Sequence, residues 1–280
     1  ANGFESELVY IKSEGDIDLQ TPLYEIGVQG IFTRSLDIAL LNNKIDIAVH
    51  SMKDVPVQLA KGIIQAAVLK RASYKDLFVY KNDAFFLDNK DSFAVIATSS
   101  IRRKAQWLNR YPNHTIENLR GNVNTRLQKV KDNNWQGAIF AAAGLERINL
   151  RPQNCIELDW MLPAPAQGAI VVVCRENDNF SADACMLFND AATALCVKIE
   201  RDFLKTLLGG CSTPISALAE LNNDTIIFKG NIVSPDGTNK IETSAAALTD
   251  FATSMGIQSA IEILEKGGQE ITDSIHNAAK

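Results

Sequence analysis

The sequence lacks the features that mark a membrane-spanning, secreted or zinc-binding protein. No apolar run approaches the roughly 18 residues of a membrane span, and the start, Ala1-Asn2-Gly3-Phe4-Glu5, is not a signal peptide. The five cysteines are odd in number and form no Cys-x-x-Cys pair, which argues against a disulfide framework and against a zinc site. A reducing cytoplasm fits this cysteine usage best. The chain also starts without Met, which is consistent with missing residues upstream.

Charge is unevenly spread along the 280 residues. The formal net charge is −5, yet residues 102–151 hold ten Lys/Arg against three Asp/Glu, so the remainder carries −12. An acidic protein with one basic segment favours a focused site for a small anion over nucleic acid, which usually meets a basic face. The length predicts two or three domains, the 46% hydrophobic content is ample for their cores, and the surface composition favours a monomer.

The stretch over residues 46–56 reads Asp-Ile-Ala-Val-His-Ser-Met-Lys-Asp-Val-Pro. Its β-branched start predicts a buried strand at 47–49, and a polar loop ended by Pro56 follows. A strand in an α/β sheet delivers such a loop to the binding crevice. Asp54, adjacent to Lys53, is therefore a candidate acid or cation stabiliser. The alternative is a solvated loop in which the carboxylate only caps nearby backbone.

The remaining pattern predicts an α/β protein with a small α+β unit at the C-terminus. Strand–helix–strand spacing predicts parallel sheets. The predicted strands of this part are 8–12, 62–69, 93–97, 137–143 and 169–174, and the helices are 31–42, 101–109 and 183–208. Residues 215–220, 226–233 and 241–248 predict three further strands, and one helix at 251–265 closes the chain.

Arginines occupy the starts of two predicted helices, where the positive end of the helix dipole disfavours cations. Arg102 and Arg103 lie in the first turn of a helix that Thr98, Ser99 or Ser100 can cap. Arg120 precedes the next helix and Arg126 lies early in it. A bound anion explains this placement better than a solvated surface does, because guanidinium groups pair well with carboxylates and phosphates.

A lone cysteine, Cys211, follows the predicted long helix in the loop Gly209-Gly-Cys-Ser-Thr-Pro214. Taken alone it carries little weight, since a free cysteine is usually buried as a small hydrophobic residue.

Three signatures in this order resemble the porphobilinogen deaminase (hydroxymethylbilane synthase) family, from about residue 8 to the C-terminal helix. They are His50-Ser-Met-Lys-Asp-Val-Pro56; Thr98-Ser-Ser-Ile-Arg-Arg103 with Leu119-Arg-Gly-Asn-Val123 and Thr125-Arg126; and Gly209-Gly-Cys211 with Pro214. The resemblance implies two α/β domains, similar to periplasmic binding proteins, around a cleft. It also implies a small α+β domain whose cysteine is thioether-linked to a dipyrromethane cofactor. The implied boundaries are 1–69 plus 169–186, then 75–162, then 191–280.

The resemblance also implies a transferase of tetrapyrrole (haem) biosynthesis. Such enzymes join four porphobilinogen molecules head to tail, losing ammonia at each step, on a primer made from the substrate. Asp54 matches the catalytic aspartate, which helps protonate the leaving amine and stabilises the azafulvenium cation. Cys211 matches the attachment cysteine. The other matched positions contact the cofactor or substrate: Ser51, Lys53, Thr98, Ser99 and Ser100 line it, Arg102, Arg103, Arg120, Arg126 and Arg147 bind its acetates and propionates, and Gln167 and Gly168 form the second interdomain crossing.

Two departures from the family pattern and one rival hypothesis stand beside this interpretation. The family usually begins with a Thr-Arg-x-Ser-x-Leu-Ala-Leu segment, which this chain lacks, so either it is a fragment or the segment is lost. Gln29 stands where many members have lysine. The rival is a two-lobed carboxylate-binding protein without catalysis, which a basic cleft between paired lobes would also fit.

Overall fold

The computed structural model describes residues 3–12, 33–207 and 213–278, with side chains through residue 275. In chain order the elements are α1 (Arg34–Leu41), β1 (Ile47–Ser51), a 3-10 helix (Met52–Asp54), β2 (Ile63–Val68), β3 (Asp76–Tyr80), a 3-10 helix (Phe85–Asp88), β4 (Val95–Ala97), α2 (Ile101–Arg110), β5 (Thr115–Glu117), α3 (Val123–Asp132), β6 (Gly137–Ala141), α4 (Ala142–Arg147), β7 (Cys155–Glu157), β8 (Ile170–Arg175), α5 (Asn179–Met186), α6 (Ala191–Thr206), β9 (Ile215–Asn222), β10 (Thr225–Val233), β11 (Lys240–Leu248), a 3-10 helix (Thr249–Phe251), α7 (Met255–Ile263), a π-helical turn (Leu264–Gly268) and α8 (Gln269–Ala278).

The first sheet has the order β1-β8-β2, and both pairings are antiparallel. The prediction of a parallel sheet for this unit is therefore wrong among the described strands, because β8 returns from far along the chain and inserts between β1 and β2. Residues 47–49 were also predicted as a buried strand, but burial alternates along β1: Ala48 and His50 are buried while Ile47 and Val49 are exposed. Within the described residues it is an edge strand with one packed face.

The second sheet has the order β5-β4-β6-β3-β7. Here β4 pairs in parallel with both neighbours, as the strand–helix–strand pattern predicts, whereas β3 runs antiparallel to β6 and β7. Separate apolar clusters cover its two faces, one around Leu77 and Phe140 and one around Phe78 and Trp107. The carboxyl ends of β4 and β6 therefore share one edge, and α2 starts there.

The C-terminal unit is an antiparallel meander, β9-β10-β11, covered by α6 and α7. Ile199 and Phe203 of α6 and Leu207, its C-cap residue, recur at four-residue intervals, and all three are fully buried in this core. A Cβ on Gly256 would lie 2.1 Å from the Ile199 carbonyl oxygen, so only glycine lets α7 approach α6 this closely. The α/β architecture with a small α+β unit agrees with the prediction, and each sheet draws its strands from one predicted domain.

Three predicted elements differ from the structure. Residues 8–12 form no strand and are mostly exposed. The single helix predicted at 183–208 is two helices, α5 and α6, because Asp190 accepts a hydrogen bond from the Thr193 amide at 2.8 Å and starts a new helix. The single closing helix is also two, α7 and α8, separated where Gly267 adopts a φ of 99°.

Candidate functional site

Residues 52–56, here called the acidic turn, are anchored by backbone hydrogen bonds. β1 ends at Ser51 and the 3-10 helix Met52–Asp54 follows at once. The Met52 amide donates to the Ala169 carbonyl at 3.0 Å, the Val55 amide donates to the Met52 carbonyl at 3.2 Å, and the Met52 side chain is buried. This anchoring leaves the side chains of Lys53 and Asp54 half-buried at the end of a strand, where the sequence predicted a loop with candidate chemistry.

Three consecutive hydroxyls shape the start of α2. The Ser100 hydroxyl oxygen accepts from the Arg103 amide at 3.5 Å, so the predicted cap is present. The Thr98 hydroxyl oxygen accepts from the Ser100 amide at 3.2 Å. The Ser99 hydroxyl accepts from the Leu119 amide at 2.9 Å and donates to the carboxamide oxygen of Asn118. These side chains hold the two loops together, and their contacts with a cofactor stay a prediction.

A buried carboxylate lies between the two arginines of α2. Asp76, at the start of β3, has an exposed fraction of 0%. One of its oxygens accepts from Arg102 Nη2 at 2.7 Å, and the other accepts from Arg103 Nη2 at 2.7 Å and Nε at 3.1 Å. Burial alone would raise the pKa of Asp76, but Arg102 and Arg103 hold that pKa below its ordinary value. The anion that the sequence predicted at this helix start is thus, at least in part, supplied by the chain itself.

The two chain crossings between the first and second sheets pack against each other. The Gln167 side chain is buried and donates to the Tyr74 carbonyl at 2.7 Å and to Asp76 Oδ1 at 3.0 Å. Gly168 has a φ of 85°, and a Cβ there would lie 2.7 Å from the Ala72 carbonyl oxygen. The chain passes through Gln167 and Gly168 on its way from β7 of the second sheet to β8 of the first. Their contact with the cofactor remains a prediction, and the Gln167 amide already has partners.

Glu200 of α6 ties this crossing to the C-terminal unit. Its carboxylate, 0% exposed, accepts from Arg71 Nη1 at 2.6 Å and Nη2 at 3.1 Å. It also accepts from the amides of Ala166 at 2.6 Å and Ala219 at 2.8 Å. Sequence reasoning missed both Glu200 and Asp76. The available signal was an acidic residue inside an apolar pattern, since an acid there needs several donors to be buried.

Electrostatic coupling joins the acidic turn to the arginines of the second sheet. Burial lowers the pKa of Lys53 and the Arg103 and Arg102 charges add to this, while Asp54 and Asp76 oppose it. Burial likewise lowers the pKa of Arg126 to about 10, with Arg103 and Arg120 contributing and Asp54 opposing. Asp54 and Lys53 of the first unit therefore share one electrostatic environment with arginines of the second.

The remaining predicted site residues differ in how deeply they are buried. Arg120 is buried, and Arg126 is half-buried with its Nε donating to the Gly121 carbonyl at 2.6 Å. Arg147 is exposed at the last residue of α4, so the structure does not bring it into the buried group. Cys211 and Gln29 lie outside the described residues. The four described cysteines, 155, 174, 185 and 196, are free thiols.

Over the ranges that the structure describes, no helix is both long enough and apolar enough to cross a bilayer.

Comparison with known proteins shows the same family along nearly the whole chain. Residues 1–183 match the family model described as "Porphobilinogen deaminase, dipyromethane cofactor binding domain", and residues 194–265 match "Porphobilinogen deaminase, C-terminal domain". The chain is 40% identical over 274 residues to the chloroplastic porphobilinogen deaminase of Oryza sativa subsp. japonica, covering 96% of this chain and 76% of that protein. It is 41% identical over 268 residues to the chloroplastic porphobilinogen deaminase of Pisum sativum, covering 94% and 72%.

Among solved structures, the chain is similar to a substrate-binding protein of an amino acid ABC transporter from Streptococcus pneumoniae. The TM-score is 0.33 at 15% identity, over 56% of this chain and 65% of that one. An ancestral cationic amino acid solute-binding protein gives a TM-score of 0.36 at 15% identity, over 57% and 66%. The two family models and the two plant relatives carry the assignment instead, and on that evidence the chain belongs to the porphobilinogen deaminase family, enzymes of the transferase type that work on a dipyrromethane cofactor.

Proposed function

We propose that the chain is a hydroxymethylbilane synthase that condenses four porphobilinogen molecules head to tail, on a dipyrromethane thioether-linked to Cys211. The observation that carries the proposal is the match of residues 1–183 and 194–265 to the two porphobilinogen deaminase family models, with Asp54 half-buried directly after β1. Family membership gives the rival, a binding protein without catalysis, no support.

The residues present fit a poly-carboxylate pyrrole group. Each pyrrole carries an acetate and a propionate, and guanidinium groups are the side chains best suited to hold carboxylates. Arg120 and Arg126 lie on either side of the Asn122 cap of α3, whose side chain accepts from the Thr125 amide at 2.9 Å. The positive end of this helix and the two guanidiniums favour the same anion. When bound, the dipyrromethane supplies the pyrrole carbon at which the new chain grows.

Asp54 performs the acid and electrostatic work in this proposal. Its carboxyl group passes a proton to the aminomethyl nitrogen of porphobilinogen, which leaves as ammonia. The resulting carboxylate then faces the positive charge that develops on the substrate, and a fixed anion lowers the energy of that state. Lys53 lines the primer and Arg126 holds substrate carboxylates, so the reacting methylene is kept near Asp54 and the acceptor carbon.

The intact mass of the purified chain tests the proposal most directly. A mass excess matching two condensed pyrrole units, mapped to the peptide that contains Cys211, supports the enzyme. If the bare mass persists after incubation with porphobilinogen and with hydroxymethylbilane, and no porphobilinogen is consumed, the proposal fails.

Substitutions of Asp54 and Arg126 then test the acid role and the carboxylate-binding role separately. We expect Asp54→Ala to keep the fold and lose most turnover, by a factor of about 10² or more. We expect Arg126→Leu to block cofactor loading or chain growth. Arg151→Leu is the matched control, because Arg151 belongs to the same basic segment and pairs with Glu146 and Glu157 at the surface. Near-normal turnover in Asp54→Ala would remove the acid role, and unchanged kinetics in Arg126→Leu would remove that arginine from the site.

The proposal includes a monomer in a reducing compartment, the cytoplasm, without a nucleic-acid or membrane partner. The free described thiols support the reducing compartment. The plant relatives are named as chloroplastic, so a plastid is the competing location. Fractionation of source cells and sedimentation of the purified protein test location and oligomeric state.

A further inference from the structure

Arg201, a residue of α6, donates hydrogen bonds to the backbone on both sides of Lys53 and Asp54. Its Nη1 donates to the carbonyl oxygens of Met52 at 3.2 Å and Val55 at 3.0 Å, and its Nη2 donates to that of Pro56 at 2.5 Å. Hydrogen bonds from a charged donor are about twice as strong as neutral ones. Because one planar group meets three acceptors, it fixes the orientation of the turn as well as its position.

The helix that carries Arg201 belongs to two cores at once. Val197 packs in the core of the first sheet, whereas Ile199 and Phe203 pack in the core of the C-terminal unit. Val57, directly after the turn, packs against the C-terminal core as well. The acidic turn is therefore fastened to α6 by polar and apolar contacts together.

The same helix leads to the proposed attachment residue. α6 ends at Thr206, and Cys211 follows five residues later in the sequence. The helix that bears this guanidinium is thus followed closely in the sequence by the residue that would carry the primer.

We propose that Arg201 is a positioning residue for the condensation, acting through the turn to hold the Asp54 carboxylate in a fixed place relative to α6. This inference rests on the proposed function. Removing the guanidinium leaves three carbonyl oxygens without this donor and lets the turn shift against the helix. A displacement of about 1 Å in a catalytic group can cost on the order of 10²-fold in rate. The effect should fall on turnover rather than substrate affinity, because the arginines assigned to the substrate lie on other elements.

Arg201→Gln tests the proposal, with Lys198→Ala as control. Lys198 lies on the same helix with a side chain 59% exposed, and it pairs only with Asp202 on the surface. Turnover is measured per cofactor-loaded chain, counted by intact mass. We expect kcat of Arg201→Gln to fall at least about tenfold, with KM and the loaded fraction nearly unchanged, and Lys198→Ala to match the wild type. Wild-type kcat per loaded chain in Arg201→Gln would overturn the proposal.

Hydrogen exchange gives a second result that does not depend on activity. In Arg201→Gln we expect faster exchange in residues 52–57, where the Val55 amide bonds the Met52 carbonyl, and unchanged exchange in β9 and β10. Equal acceleration in both regions would indicate general destabilisation and overturn the positioning role. Arg201→Lys, which keeps the charge but not the planar fork, should give an intermediate kcat and serves if the glutamine variant does not fold.

Chemical rescue completes the test. A cavity of about 400 Å³ is lined by residues that include Met52, Arg201, Lys198 and Lys205. Methylguanidinium should enter it in Arg201→Ala and raise kcat while leaving the wild type unchanged; no gain would count against the role.

If the wild type itself carries no pyrrole mass and consumes no porphobilinogen, the proposed function fails; if the wild type turns over and Arg201→Gln equals it, only this inference fails.

Discussion

Replacing Asp76 with asparagine should cost about 3 kcal/mol of folding free energy, at the low end of the range for breaking a buried ion pair. The carboxylate has an exposed fraction of 0% and pairs with Arg102 and Arg103, each at 2.7 Å. Asparagine keeps one acceptor oxygen and nearly the same volume, so the loss is that of the charge. It leaves two buried guanidiniums without their counter-ion.

The pH dependence of this loss has a definite sign. The folded pKa of Asp76 is depressed, so its contribution is fully present above the unfolded value of about 3.9 and is lost as pH falls through the folded value. The difference between wild type and Asp76→Asn should therefore be constant from pH 5 to 8 and shrink below about pH 4.

Urea unfolding followed by circular dichroism measures this difference, with Asp159→Asn as the matched control. Asp159 also pairs with a cation, Lys75, at 2.5 Å, but its side chain is 75% exposed. An exposed pair contributes about 0–1 kcal/mol. If the two variants lose equal stability, or if the Asp76→Asn loss is unchanged at pH 3, the buried ion pair does not stabilise the fold as argued.

Three further outcomes follow from buried features near the crossing. Glu200→Gln should lose about 3 kcal/mol in urea unfolding, whereas the same change at the exposed Glu157 should cost under about 1 kcal/mol. Gly168→Ala should lower the free energy of unfolding by about 1–3 kcal/mol, seen as a lower thermal midpoint, because the φ of Gly168 is 85° and a Cβ there would lie 2.7 Å from two carbonyl oxygens. Gly144→Ala should not lower it, because a Cβ on Gly144 would have open space around it. Burial lowers the folded pKa of His50, and Asp54 opposes this shift. The contribution of His50 to the free energy of unfolding is therefore full above about pH 6.5 and falls as pH drops through the folded pKa. His50→Gln should reduce the loss of stability that the wild type shows between pH 7 and 5, and an identical pH profile would contradict this.

The C-terminal meander and the cap of α2 could be predicted because their signals are local. Alternating apolar residues and the Pro235-Asp-Gly turn define β9 to β11, and a hydroxyl before a helix defines a cap. The antiparallel pairing of the first sheet could not be predicted the same way. Its central strand β8 lies more than 100 residues beyond β2, and nothing within either strand specifies that partner.

The charges of the site could also be predicted only in part from the sequence. Sequence position correctly indicated that cations at the start of α2 need an anion, but it could not indicate where that anion comes from. Asp76 lies 26 residues before Arg102, at the start of a strand that reads as apolar. Only the packing of β3 against α2 reveals that the chain supplies a carboxylate there.

This internal pairing decides which arginine best tests the substrate site. Arg102 is buried and donates to Asp76 and to the Leu162 carbonyl, so Arg102→Leu would remove one of the two cations that pair with the buried Asp76 and destabilise the fold. A loss of activity there would mix stability with binding. Arg126 is half-buried, its Nε donates to the Gly121 carbonyl, and its charge is coupled to Asp54 across the two units. Its removal leaves no buried carboxylate behind in that pairing. A loss of turnover in Arg126→Leu at unchanged stability would therefore be a property of the site itself.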